Sequence, residues 1–176
     1  VKELTAYLLS NIDIKTFPIG EGLPQALEQY GRYTREEIFT IFGRQTAEKR
    51  MQGSVSGVFN IEERNTELLF VTLNKSNKDF SVSTMYDDYV VSERQFHWKS
   101  KNTDTHEGRG KRYVEQAINK KKFLLFVRAD KTDGFNNTCP FYCFGLVDYI
   151  SSRDDKPMSI DWHMHHPILP QFIKAV

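Results

Sequence analysis

The sequence has little of what stabilises small secreted domains or spans membranes. Its 176 residues include only two cysteines, which are too few for a disulfide framework. Cys139 and Cys143 stand in one strand-like run, on the same face but at a spacing that disfavours a bridge. No apolar run approaches the roughly 20 residues that cross a bilayer, and no signal peptide is visible. We therefore predict a cytoplasmic protein with buried, reduced thiols and no membrane partner.

The sequence also lacks the motifs of the common enzyme classes. It contains no P-loop, Gly-rich dinucleotide turn, nucleophile elbow or paired-cysteine zinc spacing. On a strand, Asp161, His163 and His165 would share one face and could bind a metal, although a polar outer face is the ordinary outcome. The Asp-Asp steps at 87–88 and 154–155 are a second candidate, but adjacent acids on a strand point to opposite sides. Metal-dependent nuclease chemistry stays an alternative, and we predict neither a metal nor a cofactor.

Aromatic residues and an uneven charge distribution are what the sequence has in excess. Aromatic side chains make up 13% of the chain, which predicts a ring-rich core, a ring-lined site, or both. The net charge is only +1, yet Arg94–Lys122 contains nine basic and three acidic residues, a local charge of +6 that leaves −5 for the rest. Such asymmetry is typical of proteins that bind polyanions. A solvated basic surface is the alternative.

Periodicity predicts a helical segment over residues 1–50 that packs on a strand-rich part over residues 51–176, in one compact domain. The best-defined helix has Thr34 as its N-cap, and Glu37 completes a capping box three residues later. Gly43 can end this helix in the left-handed conformation. Two further helices are predicted, in "KELTAYLLSN" and "LPQALEQY".

Strand-like runs dominate the chain after Gly53. "SVSGVFNI" and "TELLFVTL" flank a polar turn, as the strands of a hairpin do. About six strands with mostly sequential neighbours predict an antiparallel sheet, and a curled sheet or small barrel would remove its own edges. We therefore predict an α+β fold, with a helix over Arg109–Ile118 and a closing helix in "LPQFIKAV". The remaining predicted strands are "SVSTMY", "KFLLFVRAD", "PFYCFGLVDYI" and "MSIDWHMHHPIL".

Three stretches of the sequence resemble one bacterial family. They are "YGRYTREEIFTIFG", "YDDYVVSERQFHWKSKNT", and "GRGKRY" followed by "FLLFVR". They look like the domain of unknown function at the C-terminus of bacterial DEAD-box helicases. Some of those helicases carry an N-terminal phospholipase-D-type nuclease domain and act as modification-dependent (type IV) restriction enzymes. The resemblance runs from about Tyr30 to Pro167, and the first residue, Val1, also indicates a piece of a longer protein.

The resemblance implies a fold and a function. In those restriction enzymes the domain is regarded as similar to the SRA domain, a curled β-barrel related to the PUA fold with helices packed outside. SRA domains recognise 5-methylcytosine by flipping the base out of the duplex. The resemblance therefore implies a non-enzymatic reader of double-stranded DNA that contains 5-methylcytosine or 5-hydroxymethylcytosine. Its further partners would be the helicase and nuclease domains of the parent chain, and it would need no cofactor.

The candidate pocket for the modified base lies in the "YDDY" and "FHW" stretches. Stacking on aromatic rings would repay part of the few kcal/mol that extrusion of a base costs. A carboxylate would accept a hydrogen bond from the N4 amino group of cytosine. Phe96 and Trp98 share one face if the stretch is a strand, and His97 then points the other way. The candidate pocket residues are Tyr86, Asp87, Asp88, Tyr89, Phe96, Trp98 and Ser100.

The candidate contacts to the DNA backbone and base edges follow the pocket residues in sequence. Glycines in "GRGKR" would let the chain approach the phosphates, which its cations would neutralise. The family pattern has Gln where this sequence has Lys101, so a base-edge contact and a phosphate contact are both open for that residue. The candidates are Lys99, Lys101, Asn102, Thr103, Arg109, Lys111 and Arg112.

Two other function classes fit parts of the sequence. A PUA- or ASCH-like module would bind RNA or a modified nucleotide, with side chains that read ribose hydroxyls and a preference for single strands. A metal-dependent nuclease would use Asp87 and Asp88, or the face formed by Asp161, His163 and His165. Cleavage of unmodified DNA by this chain alone, with magnesium or manganese, would distinguish the nuclease from the reader.

Overall fold

One large sheet dominates the structure, a computed structural model that describes residues 14–20, 22–46, 48–49, 56–75 and 87–173. The architecture is α+β, as predicted. Within these ranges no helix is both long and apolar enough to cross a membrane. The helices are α1 (Arg35–Ile41), α2 (Lys111–Val114) and α3 (Gln116–Asn119), and the strands are β1 (Phe17–Pro18), β2 (Glu28–Gln29), β3 (Arg32–Tyr33), β4 (Val58–Ile61), β5 (Thr66–Thr72), β6 (Tyr89–Ser92), β7 (Gln95–Lys99), β8 (Lys122–Arg128), β9 (Phe141–Arg153) and β10 (Ser159–Met164).

The strands of the large sheet follow the order β4-β5-β8-β9-β10-β7-β6, and β3 adds to β9. A separate antiparallel pair joins β1 to β2. All neighbours in the large sheet run antiparallel except β5 and β8, which are parallel. The prediction of a wholly antiparallel sheet is therefore wrong for that pair. Because the path ends at β4 and β6, the prediction of a closed barrel is also wrong for the strands that the structure describes.

Strand β9 joins the two halves of the sheet. Its first half pairs with β8 and its second half pairs with β10, and the register with β8 shifts at a bulge between Leu125 and Phe126. Gly145 lies at this bulge with φ +81, a left-handed conformation that glycine adopts without steric cost. A Cβ on Gly145 would also stand 2.0 Å from Oε1 of the buried Gln29. The bulge therefore requires glycine, and it bends the longest strand of the sheet.

The central strands bury both of their faces. Leu69 and Leu125 belong to one hydrophobic cluster, whereas Leu68 and Leu124 belong to a second cluster on the opposite face. This double burial explains why "TELLFVTL" and "KFLLFVRAD" read as continuous apolar runs rather than alternating ones. The first cluster holds most of the buried rings, and α1 covers the second.

The capped helix α1 confirms its prediction. The Thr34 amide donates to Glu37 Oε2 at 2.6 Å, and the Glu37 amide donates to Thr34 Oγ1 at 3.2 Å. Gly43 follows the helix with φ +69. The helix predicted in "LPQALEQY" is wrong, since turns lead there into β2. The side-chain amide of the buried Gln29 donates instead to the Phe144 carbonyl at 2.9 Å, so a long-range contact overrides the local helix propensity.

Most of the other predicted elements are present. The hairpin of β4 and β5 and the strands β8, β9 and β10 are confirmed. The helix predicted over Arg109–Ile118 is two short helices that meet at Glu115, and the closing helix is a short 3₁₀ turn at Pro170–Phe172. The predictions for "KELTAYLLSN" and "SVSTMY" lie outside the described residues.

A buried ion pair connects strands near opposite ends of the sheet path. Lys75 follows β5 and Asp88 precedes β6, and Lys75 Nζ lies 2.6 Å from Asp88 Oδ2. The side chains are only 9% and 4% exposed. Asp88 also accepts a hydrogen bond from the Lys99 amide at 2.9 Å. Burial raises the pKa of the Asp88 carboxyl, against the opposing effect of the Lys75 ammonium. The sheet is therefore curled, although its strands do not close by hydrogen bonding.

The two cysteines are free thiols in different environments. Cys143 lies in β9 and is fully buried, whereas Cys139 is partly exposed. Burial raises the pKa of the Cys143 thiol to about 12. Only the thiolate reacts with alkylating reagents, so at pH 8 a thiol with this pKa is reactive in only about one molecule in 10⁴.

We expect iodoacetamide at pH 8 to modify one thiol in the native protein, that of Cys139. A Cys139→Ser variant should stay unmodified when native and become modified in urea, because unfolding returns Cys143 to its ordinary pKa. Mass spectrometry after timed labelling checks both results. Rapid labelling of Cys143 in the native Cys139→Ser variant would contradict the burial of this thiol.

Candidate nucleic-acid interface

The basic stretch Arg94–Lys122 includes a loop that we call the cationic loop, residues 99–112, which runs from the last residue of β7 into the first turn of α2. Its start is fixed by Ser100, whose buried hydroxyl accepts a hydrogen bond from the Met158 amide at 3.0 Å. Consecutive turns follow: the Asp104 amide donates to the Lys101 carbonyl, and the amides of Gly108 and Gly110 donate to the Thr105 carbonyl. The loop is therefore folded by its own backbone hydrogen bonds.

Packing explains one of the two glycines in "GRGKR". Gly110 is buried, and a Cβ there would stand 2.0 Å from Met158 Sδ and 2.7 Å from the Thr105 carbonyl oxygen. Its φ is −71, which any residue adopts. The small size of Gly110 is thus required inside the protein, and not for an approach to phosphates as predicted.

The cationic loop exposes several of the predicted contact residues. Arg109 is exposed, and so is Lys111, whose Nζ lies 3.5 Å from Glu115 in a solvated pair. Solvated pairs of this kind contribute little and exchange readily with other anions. The other predicted contacts on the loop, apart from Arg112, are the partly exposed Lys99 and Lys101 and the exposed Asn102 and Thr103.

Arg112 differs from the other cations because it pairs with a buried carboxylate. Its Nε lies 2.9 Å from Glu67 Oε2 and its Nη2 lies 2.9 Å from Glu67 Oε1. The guanidinium carbon stands 4.2 Å from the centre of the Tyr113 ring. Asp104 is fully buried, and its Oδ2 lies 3.9 Å from Arg112 Nη2. We call these four residues the Arg112 cluster.

Two side chains of the Arg112 cluster have shifted pKa values. Burial would lower the pKa of Arg112, but the hydrogen bonds to Glu67, together with the charge interactions with Tyr113, Glu67 and Asp104, outweigh burial and hold the pKa above its ordinary value. Burial raises the pKa of Tyr113 well above its usual range. Arg112 therefore stays charged and neutralises Glu67. The phosphate contact predicted for Arg112 would require this pair to open.

The rings of the predicted base pocket have different surroundings. Phe96 and Trp98 do share one face of β7, but that face lies in the core, where they are 0% and 4% exposed. Trp98 packs edge-on against Tyr113 at 5.4 Å between ring centroids, and tilted against Trp162 at 6.2 Å. Neither ring has an open face on which a base could stack in this conformation.

Tyr89 is the exposed ring among the described pocket candidates. It is 44% exposed, and its ring stacks on His97 at 4.7 Å between centroids. His97 is buried beneath it, with Nδ1 2.7 Å from Asp161 Oδ1. We call Tyr89, His97 and Asp161 the Tyr89 stack. Alternation predicts only that His97 lies on the other face of β7; its hydrogen bond to Asp161 of the neighbouring strand β10 gives it a role.

The two carboxylates of the predicted base pocket, Asp87 and Asp88, have different surroundings. Asp88 is occupied by Lys75 and by the Lys99 amide, whereas Asp87 is exposed. Tyr86 lies outside the described residues. Of the two carboxylates, Asp87 is therefore the one that faces solvent.

The three residues of the candidate metal face have different surroundings. Asp161 pairs with His97, His165 Nε2 lies 2.8 Å from Asp148 Oδ2, and His163 is exposed. In the second Asp-Asp step, Asp154 accepts from Ser159 and Asp155 pairs with His106. Across the part of the chain that the structure describes, no group of three His, Cys, Asp or Glu side chains is placed to hold a metal ion.

A cavity of about 530 Å³ opens beside the two short helices and β9. This volume is in the range of small-molecule pockets. Val114 and Ala117 supply apolar lining from the helices, and Asp148 and His165 supply polar lining. The lining also includes three consecutive lysines: Lys120, Lys121 and Lys122. These lysines belong to the basic stretch Arg94–Lys122, but the sequence predicts no site for them. Their position directly after a helix was the available signal.

Comparison with known proteins gives a family but no function. No curated protein matches the chain. One family model matches residues 27–175, which covers the large sheet, the cationic loop and the cavity. The chain therefore belongs to the family described as "Domain of unknown function (DUF3427)".

Proposed function

We propose that this domain is a reader of modified DNA that binds duplexes containing 5-methylcytosine or 5-hydroxymethylcytosine and flips the modified base. The observation that carries the proposal is the cavity of about 530 Å³ with three consecutive lysines in its lining. Helices α2 and α3 connect this cavity directly to the cationic loop. A prefolded basic surface beside a pocket of nucleotide size is what base extrusion needs.

The cationic loop would hold the phosphates. Four of its cations, Lys99, Lys101, Arg109 and Lys111, are at least partly exposed, and Arg112 stays with Glu67. Each phosphate that a cation neutralises releases a bound counterion, so about four such contacts give a log–log salt slope of roughly −3 to −4. Asn102 and Thr103 stand in the same loop and would contact sugar or base edges.

The cavity would receive the extruded base. Asp148 is 58% exposed at its side chain, so its carboxylate can accept a hydrogen bond from the N4 amino group of cytosine. Val114 and Ala117 offer apolar surface to a 5-methyl group, a contact worth about 1 kcal/mol. Tyr89 is the alternative receiving surface, because its open ring face could stack on a base.

The domain would act without catalysis of its own, as the targeting module of a longer protein with helicase and nuclease domains. The proposal includes a fold similar to those of SRA and PUA domains. The curled sheet, with helix α1 packed on one face, supports it.

A binding titration tests the proposed function. We expect tighter binding to methylated than to unmodified duplexes of the same sequence, with the salt slope given above, as measured by fluorescence anisotropy. Equal affinity for unmodified, hemimethylated and fully methylated duplexes would refute the reader. Preference for RNA or single strands would favour the PUA-like module, and cleavage with magnesium or manganese would favour a nuclease.

Two variants distinguish the receiving surfaces. Asp148→Ala removes the acceptor for the N4 amino group and should reduce the preference for methylated duplexes if the base enters the cavity. Tyr89→Ala should reduce it if the base stacks on the Tyr89 stack. Both side chains are exposed, so circular dichroism should show an unchanged fold in each variant.

A further inference from the structure

His106 ties the cationic loop to the turn between β9 and β10. Its backbone amide donates to Asp155 Oδ1 at 2.8 Å, and its ring Nδ1 lies 2.9 Å from the same oxygen. Its Nε2 lies 2.7 Å from Ser152 Oγ. A fourth bond runs from the Lys156 amide to the Asp104 carbonyl at 3.0 Å. The loop is thus attached at its centre as well as at its two ends.

The donor and acceptor in each side-chain hydrogen bond of His106 follow from the chemistry of its partners. The Asp155 carboxylate only accepts, so Nδ1 of His106 carries a hydrogen; when the ring has no second hydrogen, Nε2 accepts from the Ser152 hydroxyl. Ser152 Oγ can then accept from the Tyr149 hydroxyl, which lies 2.7 Å away. The hydrogen bonds from His106 lower the pKa of Asp155, which keeps the carboxylate ionised.

The structure assigns His106 as a positioning residue for DNA binding by the cationic loop, an inference that rests on the proposed function. Lys101 and Arg109 flank His106 within the loop, and both must face the phosphates together. A loop that is already held in its bound form does not lose conformational entropy on binding. Without the His106 ring the centre of the loop would lose its side-chain bonds to Asp155 and Ser152. Some of its order would then be gained only on binding, and the affinity would fall.

The same order of side chains, Asp-His-Ser, also occurs in nucleophilic triads, but two observations favour positioning. Ser152 lies inside β9 and pairs with Ile160 of β10, whereas a triad serine commonly stands on a sharp turn beside free backbone amides. In addition, Ser152 Oγ is hydrogen-bonded on two sides, with His106 Nε2 and the Tyr149 hydroxyl each 2.7 Å away.

The test compares His106→Ala with Arg109→Ala on the methylated duplex across a range of salt concentrations. We expect His106→Ala to weaken binding about three- to tenfold, the effect of leaving one or two side chains to be ordered on binding, with an unchanged salt slope. Arg109→Ala should instead reduce the slope by about 0.9, because it removes a phosphate contact. Hydrogen exchange should become faster at residues 101–110 in His106→Ala and stay unchanged in β8.

Variants of Asp155 separate positioning from a general loss of fold. Asp155→Ala removes the acceptor at a side chain that is 49% exposed, so the fold should persist while affinity falls as in His106→Ala. Asp155→Asn keeps an acceptor oxygen and should restore most of the affinity. A His106→Ala protein with wild-type affinity, or one whose salt slope falls with its affinity, would overturn the inference about His106 and leave the proposed function standing.

Two further outcomes are decisive. A wild-type protein that binds no DNA would overturn the proposed function and this inference together. Labelling of Ser152 by a fluorophosphonate probe, lost in His106→Ala, would overturn positioning in favour of a nucleophile.

Discussion

Replacing Arg112 with methionine is expected to lower the free energy of unfolding by about 3–5 kcal/mol, the usual loss when one partner of a buried ion pair is removed. Glu67 is 1% exposed and Asp104 is fully buried, so the variant would leave two carboxylates without the cation that neutralises them. Lys121, with its Nζ 3.8 Å from Glu67 Oε2, would compensate only in part. Urea denaturation followed by circular dichroism measures the change.

The matched control for this prediction is Arg109→Met. It makes the same substitution in the same loop at an exposed position, and its effect should stay within about 0.5 kcal/mol. A Glu67→Leu/Arg112→Met double variant removes both charges and should recover much of the loss. If Arg112→Met were as stable as Arg109→Met, the Arg112 cluster would not be a buried charge pair in solution.

Replacing Trp162 with alanine is also expected to lower the free energy of unfolding by about 3–5 kcal/mol, as for other large core rings. Trp162 is 0% exposed. Its ring lies 5.0 Å from Phe123 and 6.0 Å from Tyr113 between centroids, so the substitution would open a cavity among packed rings. Thermal and urea unfolding measure the loss.

Two variants calibrate the Trp162 prediction. Phe135 is 90% exposed, so Phe135→Ala should change stability by less than about 0.5 kcal/mol. The indole nitrogen of Trp162 is buried and has no hydrogen-bond partner among the residues that the structure describes. Trp162→Phe should therefore be clearly milder than Trp162→Ala, because it keeps a ring and removes that donor. Equal losses in Trp162→Phe and Trp162→Ala would contradict the role of ring packing.

The packing of Trp98 against core rings limits what a Trp98 variant can show about DNA binding. Trp98 contacts both Tyr113 and Trp162 in the same ring cluster. Loss of DNA binding in Trp98→Ala would therefore report damage to the core unless stability is measured in parallel. Substitutions at Asp148 and Tyr89 are free of this ambiguity.

Elements with local signals could be predicted from the sequence. The capping box of Thr34 and Glu37 lies within one turn of helix, and the hairpin of β4 and β5 is defined by the short turn between its strands. Strands β8, β9 and β10 were recognisable because each is an apolar run bounded by turn residues. In all these cases the interactions that decide the structure are close in sequence.

Features that depend on distant partners could not be predicted in the same way. The parallel pairing of β5 with β8 joins Thr66 to Lys122, and nothing within either strand specifies its neighbour. The turn that replaced the helix in "LPQALEQY" depends on Gln29 and Phe144, which are 115 residues apart. Long-range contacts of this kind override local propensity.

The candidate site shows the same division. Alternation in "FHW" predicted that Phe96 and Trp98 share a face, but not that Ile160 and Trp162 of the neighbouring strand make that face the core. A count of charges treats Arg109 and Arg112 alike. The buried partner of Arg112, Glu67, lies 45 residues away, and only the fold distinguishes a cation that faces solvent from one that does not.

The parallel pairing of β5 with β8 means that the cationic loop cannot be transplanted. The loop and strands β6 and β7 stand between β5 and β8 in sequence, yet β7 pairs with β10 and Arg112 pairs with β5. A peptide that covers residues 96–113 would lack the partners of every part: β10 for its strand, Met158 for Gly110, and Asp155 for His106. Grafting the loop onto another scaffold, or dividing the chain on either side of it, separates surfaces that form only together.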